Sequence, residues 1–243
     1  MITIFTDGSS RGNPGPGGWG SVVVAGTISD PKTAHVIEVG GREDLTTNNR
    51  MEIKASIEGL EASLKFHDGQ VKVNSDSSYV INSITKWVYG WARKDWITSQ
   101  KEPVSNRDLW EDLMRVSEMV EKQSGTKVLW NYVGGHVGIA GNERCDEIAT
   151  SFADNDPTLL FSGSFADYSI KNILDTNGVV AKKVKSKAHS KATAYSYVSS
   201  VNGTIETHSN WKDCEARVKG MKNARFKKSI SSADEAEIMR SFS

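Results

Sequence analysis

Residues 2–25 read ITIFTDGSSRGNPGPGGWGSVVVA, a short apolar strand that stops at an acid, a run dense in glycine and proline, and a β-branched strand. Ile2, Ile4 and Phe5 open the first strand, and Thr6-Asp7 is expected to close it. Residues 8–18 hold too many glycines and prolines to sustain an element, so a loop is expected there. Residues 19–25 and 34–39 predict two further strands. From Thr47 the period changes: Ile53, Ile57, Leu60 and Leu64 recur at helical spacing. Residues 71–75 predict a fourth strand ending at Asp76, followed by a helix over 77–85 and a Trp-rich stretch over 87–96. Asn106 can cap a helix carrying Leu109, Leu113, Val116 and Val120. Residues 128–133 predict a fifth strand, 134–142 a glycine-rich loop and 143–153 a last helix. An early run of strands followed by β–α alternation is a mixed α/β domain.

The 243 residues contain 30 Lys+Arg and 30 Asp+Glu, but the balance is uneven along the chain. Residues 1–160 carry 16 basic against 22 acidic side chains, a net of −6, and residues 161–243 carry 14 against 8, a net of +6. Such asymmetry suggests two units with different tasks. Lys182, Lys183, Lys185, Lys187 and Lys191 fall in a window free of acids between Asp175 and Glu206, which reads as a basic tether. Beyond it, residues 195–201 and 204–208 flank Asn202-Gly203, the chemistry of a two-residue hairpin. A helix over 211–218, a strand over 225–230 and a helix from Ser232 to about Arg240 complete a ββαβα unit, near the lower size limit for independent folding.

No apolar run approaches the roughly 18 residues a membrane helix needs, and the N-terminus lacks the pattern of a signal peptide. Two cysteines, Cys145 and Cys214, cannot build a disulfide framework or a zinc site alone, which fits a reducing, cytoplasmic setting. Cys214 reads as a buried small hydrophobe, and Cys145 as a structural neighbour of Asp146.

Asp7, Glu52, Asp76 and Asp146 stand at expected strand ends and helix starts, where carboxylates gather at one rim of a sheet. Hard divalent cations such as Mg²⁺ take such oxygen ligands, and two ions about 3.5–4 Å apart can serve phosphoryl transfer. Strand-end aspartates are also ordinary turn formers. Spacing alone does not separate these readings.

The local sequences do. TDGSSRGNPGPGGWG around Asp7, TTNNRMEIKA around Glu52, NSDSSYV around Asp76 and GGHVGIAGNERCDEIA around Asp146 resemble the type 1 ribonuclease H family, in the family's order, over nearly all of residues 1–155. The resemblance implies an α/β fold with a five-stranded mixed sheet and flanking helices. It implies an endoribonuclease that hydrolyses the RNA strand of RNA–DNA hybrids by a two-metal-ion mechanism, leaving 5′-phosphate and 3′-hydroxyl ends. The cofactor it implies is Mg²⁺, two per site, with Mn²⁺ able to substitute. It assigns catalysis to Asp7, Glu52, Asp76, His136 and Asp146, with the four carboxylates as metal ligands. An imidazole at His136 suits proton transfer or product release.

Asn13, Asn48 and Asn49 match residues the family uses at the hybrid's minor groove, where base edges and 2′-hydroxyls are displayed. Thr47 and Asn106 match a pocket for a DNA phosphate. Two positions depart from the family pattern: Leu45 stands where many members have arginine, so the phosphate pocket is weakened or Arg42 substitutes, and Ser78 stands where several have glutamine. The segment ITKWVYGWARKDWITSQKEPVSNRDLWEDL resembles the family's substrate handle, with Trp87, Trp91 and Trp96 expected mostly in its packing and only Arg93, Lys94 and Lys101 supplying positive charge.

Residues 195–242 resemble the small hybrid-binding domain related to viroplasmin, on the strength of a W-x-x-C helix and an ARFKK strand. The resemblance implies contact with the RNA strand through Tyr197, Lys227 and Lys228, and an aromatic surface for DNA sugars from Trp211 and Phe226. Aromatics flanked by lysines suit a backbone-tracking site. The alternative is that Trp211 and Phe226 form the core of this small domain. The hairpin SSVNGTIETH lacks the basic residues usual there.

The expected organisation is a catalytic domain over 1–157, a basic flexible linker over 158–193 and a hybrid-binding domain over 194–243. The expected partners are RNA–DNA hybrid and, weakly, double-stranded RNA through the C-terminal domain. The protein is expected to be monomeric, with no membrane partner. A binding protein with a vestigial nuclease is the alternative from another class, disfavoured by four carboxylates and His136 together. A transposase or integrase core would lack the Glu52 motif and the histidine loop.

Overall fold

The computed structural model describes residues 1–26, 30, 33–66, 69–135, 138–176, 195–221 and 224–242. Met1–Lys182 and Lys183–Ser243 are separate compact units. In the first unit the strands are β1 (Ile2–Ser10), β2 (Gly15–Ala25), β3 (His35–Thr46), β4 (Val71–Ser75), β5 (Leu129–Tyr132) and β6 (Ser162–Ser164). They form one sheet in the order β5-β4-β1-β2-β3-β6, with β4 parallel to both β1 and β5 and the other pairs antiparallel. The helices are α1 (Asn48–Ser63), α2 (Ser78–Asn82), α3 (Val88–Ala92), α4 (Arg107–Ser124) and α5 (Ala140–Ala153), with a π-helical turn Ser83–Trp87 joining α2 to α3.

The pleat sorts side chains onto two faces. Ile2, Ile4, Val23 and Ala25 share a core with Ile53, Leu60, Leu113 and Val116 of α1 and α4. Phe5, Val22, Val24 and Val36 share the other with Cys145 and Ile148 of α5.

Residues 8–18, expected as a loop, are mostly strand. β1 and β2 stay paired from Ile2↔Ala25 to Ser10↔Gly17, leaving only residues 11–14 outside them. Glycine here makes room for helices. A Cβ on Gly18 would stand 2.2 Å from the Ala149 carbonyl oxygen, and one on Gly20 2.6 Å from that of Cys145. β3 likewise runs on to Thr46, and α5 begins at Ala140, before the expected residue 143. Asn106 occupies the cap position of α4, but its φ is 60° and its side chain makes no cap bond; its Nδ2 donates instead to the Tyr79 hydroxyl at 3.3 Å.

The sheet has six strands rather than five, because part of the expected linker joins it. β6 pairs with β3 from His35↔Ser164 to Ile37↔Ser162. A 3-10 turn, Phe165–Asp167, follows, and Phe165, Tyr168 and Ile173 are buried in the α5-side core. The anchor is Glu38, a carboxylate 4% exposed on β3. Arg144 of α5 meets it twice, Nε to Oε1 at 2.7 Å and an η nitrogen to Oε2 at 2.8 Å. The Tyr168 hydroxyl donates to Oε1 at 2.7 Å, and the Phe161 N–H to Oε2 at 2.9 Å. Burial pushes the Glu38 carboxyl up, but the hydrogen bonds from Arg144, Tyr168 and Phe161 outweigh it and hold the group below its usual range. A buried charge needs such partners. The rest of the expected linker, residues 177–193, lies outside the described residues.

The second unit is a three-stranded antiparallel sheet, β7 (Ser196–Val201), β8 (Thr204–His208) and β9 (Arg225–Ser229), in the order β8-β7-β9, with α6 (Trp211–Val218) and α7 (Ser232–Phe242). Asn202 and Gly203 both take positive φ, 50° and 81°, as a primed hairpin turn requires. Val198, Cys214, Val218 and Ile238 are buried.

A fragment ending at residue 157 should therefore unfold more easily than one ending at 176. The difference is expected to be at least about 3 kcal/mol, since burial of side chains such as Phe165, Tyr168 and Ile173 contributes on the order of 1.5–3 kcal/mol each. Urea unfolding of the two fragments measures it, and equal midpoints would remove the extension from the folding unit.

Candidate active site

Three carboxylates converge where β1, β4 and α1 meet. Asp7 lies on β1 and is 7% exposed, and Glu52 lies on α1 and is 6% exposed. Asp76 follows the last residue of β4 and is half-buried. Because β1 and β4 run parallel with Thr6 opposite Ser75, their ends deliver Asp7 and Asp76 side by side. One oxygen from each of the three lies within 4.8 Å of the others.

Few donors neutralise this cluster. The Gly8 N–H donates to Asp7 Oδ1 at 2.7 Å, and Asn48 Nδ2 donates to Glu52 Oε1 at 3.3 Å. Glu52 Oε2 is buried without a hydrogen-bond partner. On the other side Asn142 Nδ2 donates to Asp76 Oδ2 at 3.1 Å. Burial first, then the charges of Asp76 and Asp146, push the Asp7 carboxyl up to about 8 despite the Gly8 hydrogen bond. Burial, Asp7 and Asp76 likewise hold Glu52 well above its usual range. Like charges packed this closely are relieved by protons or by a cation. An all-oxygen donor set with an unpaired buried carboxylate oxygen fits a hard divalent ion.

Asp146 stands apart from the triad. It is half-buried on α5 and outside the three-carboxylate group, yet its charge contributes to the rise at Asp7. His136 lies outside the described residues.

Around the cluster, Asn13, Asn48 and Asn49 are exposed, in the β1–β2 connection and the first turn of α1. Thr47 caps α1, its hydroxyl accepting the Arg50 N–H at 3.4 Å. Arg50 in turn makes a two-pronged ion pair with Asp108, at 3.0 and 2.7 Å. That pair ties the first turn of α1 to the first turn of α4, so Thr47 and Asn106 stand just before two linked helix starts. The Arg42 guanidinium donates to the Phe152 and Ala153 carbonyls at 3.0 and 2.6 Å, finishing α5. Leu45 is 75% exposed, and Ser78 is exposed at the start of α2.

In the handle Trp96 is buried under Arg107, Trp91 packs against the core near Trp110, and Trp87 is 44% exposed. The expectation of packing therefore fits two of these three tryptophans.

In the second unit the Trp211 ring lies 5.6 Å from Tyr197 and 5.2 Å from Phe226. Trp211 is 38% and Phe226 53% exposed, so these rings form a surface cluster rather than the core of the small unit. Lys227 and Lys228 are exposed on β9, opposite Val198 and Tyr197.

Two amides hold the carboxylates. Asn48, expected at the substrate, also touches Glu52; Asn142 is the residue that sequence reasoning missed. The available signal was periodicity, since Asn142 precedes Asp146 by one helical turn and shares its face.

Residues 1–154 match the RNase H family profile. The chain is 46% identical over 153 residues to a ribonuclease H of Erythrobacter litoralis, covering 63% of this chain and 96% of that protein. It is 47% identical over 150 residues to a ribonuclease H of a Cyanothece species, covering 62% and 87%. Among solved structures it resembles LC9-RNase H1, described as a type 1 RNase H with the type 2 active-site motif, at 27% identity and TM-score 0.56, covering 68% of this chain and 78% of that one.

The cluster's electrostatics predict how the metal-free protein responds to pH. Asp7 keeps its proton up to about 8 when folded but only to about 3.8 when unfolded. The unfolded chain therefore releases a proton first, and stability falls as pH rises through that interval. In EDTA at pH 8, Asp7→Asn should raise Tm by about 2–4 °C for each kcal/mol of repulsion relieved. Millimolar Mg²⁺ should raise the Tm of the parent protein much more than that of the variant. A variant less stable than its parent in EDTA would contradict this account of the cluster.

Proposed function

This chain belongs to the ribonuclease H family and is a ribonuclease H that cleaves the RNA strand of RNA–DNA hybrids, and on that premise we propose that Asp7, Glu52, Asp76 and Asp146 carry the reaction with two Mg²⁺ ions. The observation that carries the assignment is the three-carboxylate convergence with a buried, unpartnered oxygen on Glu52. Held by these carboxylates, Mg²⁺ or Mn²⁺ would supply Lewis acidity for a water and for the charge at the scissile phosphate. Asp7 and Glu52, buried on rigid elements, fix the deep side of the site. Asp76 and the half-buried Asp146 form its open side, where substrate enters. His136 is assigned proton transfer or product release. Attack at phosphorus with departure of the 3′ oxygen leaves 5′-phosphate and 3′-hydroxyl ends.

Asn13, Asn48 and Asn49 are assigned to the minor groove, where amides can bond a 2′-hydroxyl and so separate RNA from DNA. Thr47 and Asn106 are assigned to a phosphate of the DNA strand, in keeping with their place at two linked helix starts.

The C-terminal unit is assigned to hybrid binding through Tyr197, Trp211, Phe226, Lys227 and Lys228, with weaker binding of double-stranded RNA. The exposed ring cluster supports this reading. Residues 195–243 carry 8 Lys+Arg against 6 Asp+Glu, while residues 177–194 carry 5 against 0, so the tether holds more of the positive excess. It adds long-range attraction to an otherwise acidic catalytic unit. A cytoplasmic monomer completes the proposal; among the described residues no helix is long and apolar enough to cross a membrane.

A gel assay on a labelled hybrid tests the assignment. Asp7→Asn and Asp76→Asn should abolish Mg²⁺-dependent cleavage while hybrid binding stays within a few-fold, because the phosphate contacts remain. Cleavage by either at the parent rate would overturn the carboxylate assignment. His136→Ala should slow turnover by roughly 10²-fold without abolishing it, and unchanged turnover would return this histidine to an ordinary surface role.

Removal of residues 177–243 tests the tether. Turnover at saturation should hold while KM rises, most at low salt, because only uniform binding is lost. Trp211→Ala in the full chain should weaken hybrid binding with the fold retained. KM values equal to those of the full chain at two salt concentrations would leave the C-terminal unit without a role in hybrid capture.

A further inference from the structure

Asn142 is 2% exposed in the first turn of α5, and its side chain makes one hydrogen bond, from Nδ2 to Asp76 Oδ2 at 3.1 Å. Its Oδ1 is buried with no partner at all. A buried amide with half its hydrogen-bonding capacity unmet is a poor choice for stability, so the bond it does make needs another reason. The bond it does make is to a carboxylate of the active site.

Asp76 Oδ2 is confined from a second direction as well. A Cβ on Gly135 would stand 2.5 Å from that oxygen, so the backbone after β5 closes on it. Asn142 and Asp146 lie one turn apart on α5, so the contact that pins Asp76 also fixes the depth at which α5 presents Asp146. We propose that Asn142 is a positioning residue: its amide holds Asp76 and docks α5 against β4, setting the spacing of Asp76 and Asp146 for metal ions. This rests on the metal-dependent reading of the carboxylates given above.

The amide is well suited to the task. It offers a donor to a carboxylate without adding charge to an already acidic cluster, whereas a lysine or arginine would compete with a cation. Aspartate has the same shape but no donor and one more negative charge. It should disturb the spacing more than alanine does.

The experiment measures divalent-ion affinity directly, by calorimetry with Mg²⁺ or Mn²⁺ and no hybrid present, beside steady-state cleavage and thermal unfolding. Asn142→Ala should weaken ion affinity by about 10-fold or more, the usual effect of losing a group that orients a metal ligand. The Mg²⁺ concentration for half-maximal cleavage should rise by the same factor, while KM for hybrid changes less than about 2-fold. In EDTA the variant should still unfold cooperatively, because the unpaired buried oxygen is removed together with the bond to Asp76. Asn142→Asp should also weaken ion affinity, and it decides the matter if the alanine variant does not fold. A folded variant of either kind with parental ion affinity overturns the proposal. A parent protein that binds the ion but does not cut hybrid would instead sink the functional reading and leave this inference standing.

Discussion

Where α1 crosses β1, the backbone of Glu52 rests on Gly8 so closely that an added Cβ would stand 2.3 Å from the Glu52 nitrogen. The rest of the centre depends on that contact. A side chain rooted on backbone in direct contact with the strand has little room to withdraw, so Glu52 is held in the same buried space as its neighbour Asp7. Together they hold two acids away from water, where charge is costly without a proton or a cation, and Asp76, from the parallel strand, raises that cost. Folding energy from the apolar faces of the sheet keeps the acids in place, and their mutual repulsion becomes affinity for a cation. Any side chain at position 8 would lift the helix and relax the cluster. The glycine is thus part of the chemistry without touching a reacting atom.

The sequence made the alternation of elements legible because their periods are strong. β4 and α6 fall at Val71–Ser75 and Trp211–Val218, the expected residues. Asp7, Glu52 and Asp76 were legible through local motifs, and their convergence follows from strand ends and a helix start. The glycine stretch after Asp7 was misread because glycine is usually punctuation, and here it answers to helices remote in sequence. β6 was invisible for a related reason: three residues, Ser162–Ser164, have no period, and their place is set by a carboxylate on β3. Asn106 looked like a cap, but the αL backbone turns its amide to Tyr79. In each miss a tertiary demand prevailed over a local preference.

The site also divides by mechanical character. Asp7 and Glu52 are buried on β1 and on α1, whereas Asp76 and Asp146 are partly open to solvent. Buried ligands favour a fixed geometry, and open ones can follow a phosphate as it changes shape. The amide of Asn142 lies between these regimes, on the helix that carries the outermost acid. The two cores on either side of the sheet serve the halves separately: α1 is held by one and α5 by the other.

The short strand β6 bears on how these molecules behave toward one another. An open strand edge invites another chain to extend the sheet. β6 occupies the outer edge of β3 at His35–Ile37, and the Glu38 N–H is taken by the Phe161 carbonyl. Further along the same edge come Arg42, Glu43 and Asp44, charges that a docking strand would have to strip of water. At the opposite margin β5 is only Leu129–Tyr132. A sheet stopped at one side by its own chain and at the other by brevity offers little template for growth. The cover that β6 gives is thus a guard on β3, the strand whose bare edge would otherwise be free to pair with a second chain.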